Sequence, residues 1–149
     1  MRIPRLVATA MLLAWMNAHA APVVEFKSVG ASPAIFYDAP SAKGKKVFVA
    51  PRGMPVEVVL TYGEWNKVRD ASGDLAWVEA KALVPKRTVI VTAASARVRA
   101  AGEDGAAMVF TADKGVLLDM VEPLSAGWVK VRHRDGQAGY VRAQEVWGE

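Results

Sequence analysis

The chain has 149 residues, a formal net charge of +4, no cysteine and two histidines. That length holds one ordinary domain or two small ones. Zero cysteine excludes disulfides, thiolate catalysis, Cys-ligated zinc and a lipid-modified N-terminal cysteine, and so slight a basic surplus gives no nucleic-acid footprint.

The first element reads as a targeting segment, to be set aside before the fold is considered. Arg2 and Arg5 form a positive start, Leu6 to Met16 an uncharged apolar run, and Ala18-His19-Ala20 an A-x-A cleavage signal. An eleven-residue run is well short of the ~20 residues a membrane-spanning helix needs. Residues 1–20 therefore read as a cleaved signal peptide, with cleavage near Ala20-Ala21 and no transmembrane segment after it. Cleavage removes Arg2, Arg5 and His19 and no acid, so the charge falls from +4 to +2 and His133 is the one histidine left. A periplasmic or secreted product is expected, and without disulfides its core must stabilise itself.

From there the apolar pattern has period two. Val47-Phe48-Val49 and Val89-Ile90-Val91 are short β-branched runs, and Val56-Glu57-Val58, Leu118-Asp119-Met120 and Val129-Lys130-Val131 alternate. Turn residues separate them at Ala39-Pro40-Ser41, Pro51-Arg52-Gly53, Ser72-Gly73-Asp74 and Asp135-Gly136. Asp135-Gly136, between two alternating runs, suits a tight hairpin because glycine adopts positive φ without penalty. No amphipathic helix is expected.

The pattern occurs twice. Gly63-Glu64-Trp65-Asn66-Lys67-Val68-Arg69 lies over Ala126-Gly127-Trp128-Val129-Lys130-Val131-Arg132, and the register continues from Gly73 to Gly136 and from Trp77 to Tyr140. Upstream, Ala34, Phe36 and Gly53 match Ala96, Val98 and Gly115 at an offset shorter by one, which places an inserted residue near Val116-Leu117. Two copies, 21–86 and 87–149, meet near Pro85-Lys86-Arg87. Each is long enough for a small core, and about five short strands per copy indicate an antiparallel barrel. The fold class is all-β, two tandem barrels closely joined.

Copy two reads Ala96-Arg97-Val98-Arg99, then Lys114-Gly115-Val116, Gly127-Trp128-Val129-Lys130-Val131, Asp135-Gly136 and Gly139-Tyr140-Val141. This resembles the bacterial SH3-like (SH3b) module. Copy one resembles it less strictly through Phe36-Tyr37-Asp38-Ala39-Pro40-Ser41, Arg52-Gly53, Trp65-Asn66-Lys67-Val68 and Ala76-Trp77-Val78, with Asn66 in the apolar position of Val129. The whole chain is similar to exported tandem SH3b proteins of Gram-negative bacteria that lack an attached enzyme. The resemblance implies SH3-like barrels and a binding role, often toward peptidoglycan peptides or cross-bridges. Ala82 and Glu145 stand where SH3 domains that bind proline-rich peptides carry a groove tyrosine, so proline-rich recognition is not expected.

In the strand Trp128–Arg132 the two valines share one face, and Trp128, Lys130 and Arg132 share the other. Outward Trp65 and Trp128, with Trp77 and Tyr140 from the last hairpin strand, form either an aromatic ligand groove or packing beneath a loop or at the inter-copy contact. Both uses are open to amphipathic rings. Lys67, Lys130 and Arg132 lie on the same faces and would suit a ligand carrying carboxylates. Tyr37 and Trp147 are weaker candidates, and Trp147 could instead seal the second barrel. Lys43, Lys45 and Lys46, and likewise Arg132-His133-Arg134, read first as solvated loops.

Catalysis is not expected. His133 beside Asp135 has no second imidazole or thiol with which to hold a metal, and Ser125 sits in no nucleophile-elbow sequence. Glu103 and Asp104, between glycines, read as loop charges. The expected function is a non-enzymatic envelope binding module for peptidoglycan peptides or a peptide segment, with no cofactor, no metal and no nucleic acid. An adaptor or regulator of an envelope enzyme is the alternative, and a wall hydrolase the weakest.

Overall fold

A computed structural model describes residues 23–149. The signal-peptide assignment for residues 1–20 lies outside the described residues. Copy one forms an antiparallel sheet from β1 (Glu25–Val29), β2 (Ala34–Tyr37), β3 (Lys46–Ala50), β4 (Pro55–Tyr62), β5 (Trp65–Arg69), β6 (Leu75–Glu79) and β7 (Leu83–Val84). Copy two repeats it with β8 (Thr88–Val91), β9 (Ser95–Arg99), β10 (Met108–Asp113), β11 (Leu117–Ser125), β12 (Trp128–Arg132), β13 (Ala138–Arg142) and β14 (Val146–Trp147). The orders β3-β2-β6-β5-β4-β1-β7 and β10-β9-β13-β12-β11-β8-β14 are the same topology twice. The described helices are two single 3-10 turns, Ala80–Ala82 and Ala143–Glu145.

Each sheet has seven strands, two more than the alternation suggested. Leu83–Val84 and Val146–Trp147 are too short for alternation to show. In β1 the buried residues are Ser28 and Val29, and the polar one hides the strand's apolar side. Burial alternates along β5, β6, β9 and β13, and the cores are mostly valine, with Val29, Phe36, Val56, Val68 and Val78 in one and Val89, Val98, Leu118, Val129 and Val131 in the other. Asn66 replaces a core valine at 3% exposure, and its Oδ1 accepts a 3.1 Å bond from Thr61 Oγ1. That bond offsets part of the cost of burying an amide.

The inserted residue of copy two is displaced from its expected place near Val116-Leu117. Leu60 pairs Lys67 and Tyr62 pairs Trp65, whereas Glu122 pairs Lys130 and Ser125 pairs Trp128. One residue separates the first two positions and two separate the second, so the insertion sits between Glu122 and Ser125. Pro123, with no N–H to donate, is a natural place for the ladder to bulge. The expected hairpin at Asp135-Gly136 is a turn closed by His133 N–H to the Gln137 carbonyl at 2.8 Å, with Gly136 at φ +95°.

The two copies touch through a buried polar relay. Thr88 Oγ1 lies 2.6 Å from the Gly53 carbonyl and 2.7 Å from Ser28 Oγ. A carbonyl only accepts, so the single Thr88 hydroxyl proton goes to Gly53 and Ser28 donates to Thr88. Around it, Phe26 meets Trp147 edge to face at 5.1 Å, so Trp147, whose strand closes on β8 of copy two, also packs on copy one. Arg87 stacks on Phe26 at 5.2 Å and donates to the Gly148 carbonyl at 2.8 Å. Gly148 has φ +114°, and a Cβ there would meet the Thr88 carbonyl at 2.8 Å. Only glycine fits.

Thr88→Val keeps the shape but leaves the Gly53 carbonyl and Ser28 hydroxyl without their partner. A loss of about 1–3 kcal/mol in urea unfolding is expected. Ser28→Ala in the Thr88→Val background is expected to cost less than in the natural chain, because the two residues act as one chain of bonds.

Candidate functional site

The outward face of copy one carries rings from four strands. Trp65 and Lys67 come from β5, Trp77 and Glu79 from β6, Tyr37 from β2 and Tyr62 from β4. Strand register brings them together, since Lys67 lies opposite Trp77, Trp77 opposite Tyr37, and Tyr62 opposite Trp65. Trp65 stands edge-on against the buried Tyr37 at 5.5 Å, and Tyr62, 66% exposed, stands edge-on to Trp77 at 6.5 Å. Lys67 Nζ lies 5.9 Å from the Trp77 ring centre, within reach of its negative face.

Beside Trp65 a groove of about 740 Å³ runs between Pro40-Ser41-Ala42 and Gly63-Glu64, closed at one end by Glu79 and Lys81. Lys81 Nζ is 3.0 Å from Glu79 and has its pKa raised, first by that hydrogen bond and then by the carboxylate's charge. The groove thus offers an indole wall and charges of both signs. Of the cationic trio, Lys43 and Lys45 belong to the adjoining loop and Lys46 opens β3; Asp38 shapes the loop by accepting the Lys45 N–H at 2.8 Å.

The same place in copy two is filled. Trp128 is 8% exposed and lies against Gly102, where a Cβ would stand 3.3 Å from its Cγ. Arg142 stacks on the indole at 4.6 Å and donates from Nε to Asp104 at 2.9 Å, with a second bond from Nη2. Arg99 Nη1 adds a 3.0 Å bond to the Ala106 carbonyl. The loop 101–107 is thereby fastened over the ring. By the repeat register, copy one has Glu79 in place of Arg142 and Ala42 in place of Asp104, so it has no such clamp.

The sequence-predicted residues therefore do not converge on one groove. Trp65, Lys67 and Trp77 share a face in copy one, while Trp128 lies beneath its loop. Lys130 pairs with Glu122 at 3.1 Å and stands 5.7 Å from the Tyr140 ring on copy two. Arg132, at the far end of β12, borders a cleft between the copies. Tyr62 was missed, although its place just before the Gly63-Glu64 turn puts it opposite Trp65. His133 Nδ1 lies 3.1 Å from the Asp135 carboxyl inside its own turn, and two bonds from Gln137, main chain first, hold that carboxyl below its ordinary range. Among the described residues no group of His, Asp and Glu is arranged to hold a metal ion.

The family model for the bacterial SH3 domain matches residues 30–85 and again 92–148. No curated protein matches the sequence. Among solved structures the chain is similar to NlpC2 from Trichomonas vaginalis at 9% identity and a TM-score of 0.40, covering 87% of this chain and 50% of that one. It is likewise similar to NlpC1 from the same organism, at 10% identity and TM-score 0.40, covering 95% and 51%. An NlpC/P60 family protein from Bacillus cereus follows at 16% and 0.39, covering 83% and 56%. The chain spans about half the length of each structure it matches.

The clamp gives a test in solution. Arg142 holds the Asp104 carboxyl below its ordinary value, mainly through the hydrogen bond. A depressed carboxylate contributes stability above its unfolded pKa and loses it as pH falls through the folded value. With 5-fluorotryptophan, the Trp128 resonance is expected to hold one position near neutrality and to move toward the solvent-exposed value only at pH below the ordinary aspartate range. Asp104→Asn or Arg142→Gln is expected to produce that shift at pH 7.

Proposed function

Because the chain belongs to the bacterial SH3 domain family, a family of binding modules, we propose that it is a non-enzymatic cell-envelope protein that holds peptidoglycan peptides in the groove of copy one. The observation that carries this reading is the half-buried indole of Trp65 lining a groove framed by Pro40-Ser41-Ala42 and by charges of both signs. A wall peptide offers apolar methyl groups, free carboxylates and an amine, which an aromatic wall, Lys81 and Glu64 or Glu79 can each meet. Trp77, Tyr62 and Lys67 extend the face along the strand. The pattern Arg2…Leu6–Met16…Ala18-His19-Ala20 supports export to the compartment where such a ligand lies.

One observation favours a protein partner instead. Edge strand β3 leaves Val47, Phe48 and Val49 at 48%, 47% and 63% exposed, an apolar run beside an unpaired strand edge. Such an edge suits strand addition by a peptide segment, the mode of an adaptor or regulator of an envelope enzyme.

Co-sedimentation with purified sacculi separates the two. The tandem protein is expected to pellet with sacculi, and Trp65→Ala to weaken this by about 2 kcal/mol, roughly thirtyfold. Trp128→Phe, altering a covered ring, is expected to leave it unchanged. Failure to pellet at low salt would favour the adaptor. An overnight digest is expected to release no wall fragments, and soluble fragments would overturn the non-enzymatic reading.

A further inference from the structure

The packing of the two copies builds a second concavity, remote in sequence from the copy-one groove. A cleft of about 540 Å³ opens between the β3–β4 turn of copy one and the β12–β13 turn of copy two. That volume lies within the range of small-molecule sites. Its apolar lining includes Val29, Val84, Val116 and Leu117, and the junction residues Ser28 and Thr88 border it.

The charges around it are one-sided. Arg52 comes from the first turn, and Arg132 and Arg134 flank the second. None of the three is in an ion pair or a side-chain hydrogen bond among the described residues, and the one acid lining the cleft, Asp119, is taken by Lys86 at 3.0 Å. Elsewhere the basic residues flanking a carboxylate are paired: Arg69 with Glu57, Lys81 with Glu79, Lys130 with Glu122, Arg142 with Asp104. Three guanidinium groups from two copies, unpaired among the described residues, border one partly apolar hollow and make it a positive surface that favours an anion. Guanidinium forks match the planar or tetrahedral oxygens of carboxylate and phosphate.

We propose that the inter-copy cleft binds an oxyanion, carboxylate or phosphate, carried on a small ligand whose apolar part rests on Val84, Val116 and Leu117. The site exists only in the tandem, because its cations come from both copies. It does not depend on the groove at Trp65.

The test is amide NMR of the intact tandem protein, titrated separately with N-acetyl-alanyl-alanine, with its C-terminal amide, and with inorganic phosphate. The acid is expected to shift the amides of Gly53 and His133 saturably, and the amide form to bind at least about tenfold more weakly, the loss of a charge-assisted contact. Phosphate saturating the same amides where the dipeptide acid does not would identify a phosphate-bearing ligand, and the reverse a carboxylate. Arg132→Gln/Arg134→Gln, two exposed changes, is expected to weaken the stronger oxyanion by about tenfold or more. Trp65→Ala is expected to leave it unchanged, so failure of the groove and failure of the cleft are told apart. Equal binding of acid and amide with no phosphate response, no saturable shift with either oxyanion, or undiminished binding to the double variant with its spectrum preserved would each overturn the proposal.

Discussion

The arrangement of the molecule depends on one hydroxyl. Thr88 opens the first strand of copy two, yet its side chain donates into copy one, to the Gly53 carbonyl, while accepting from Ser28. Away from water such bonds are costly to leave unmade, so this short chain of donors admits little freedom between the copies. Phe26 on Trp147, and Arg87 between Phe26 and Gly148, fasten the periphery of the same contact. Units of about 60 residues have modest cores of their own, and here those cores are mostly valine and alanine. The junction therefore adds to the stability of each copy as well as setting their relation.

Within that frame the repeat has diverged by a small number of side chains with large effects. Exchanging Ala42 and Glu79 for Asp104 and Arg142 turns an open loop into one bolted over its tryptophan. Gly102, in the place of Pro40, lets the backbone approach the indole closely enough for the bolt to close. One barrel thus presents its aromatic face and the other spends the equivalent ring on its own packing.

Much of the fold is legible in the sequence because β structure with one buried face writes itself as alternation. The Trp-x-Lys-Val-Arg echo places the repeat, and the valines of β5 and β12 point inward as their spacing requires. What escapes has physical reasons. Two-residue strands carry no period. A buried serine in β1 hides its face because its partner, Thr88, lies sixty positions away. The site is less legible. Alternation puts Trp65 and Trp128 on equivalent faces, but whether a loop covers the ring is decided by an ion pair between Asp104 and Arg142, thirty-eight residues apart. The cleft is invisible in one dimension, since Arg52 and Arg134 meet only through the packing of the copies.

The three residues that join the copies, Pro85-Lys86-Arg87, have a consequence for avidity. In most tandem modules a flexible linker sets how readily the second site finds a ligand held by the first, and a longer tether dilutes that encounter. Here the tether is almost absent and its last residue is pinned to Phe26 and Gly148, so the groove at Trp65 and the cleft at Arg132 keep a constant spacing. A polymer would be measured against that spacing as against a ruler. If the two proposed sites both bind, repeats in phase with it would engage both with no further loss of tether entropy, and repeats out of phase would engage only one.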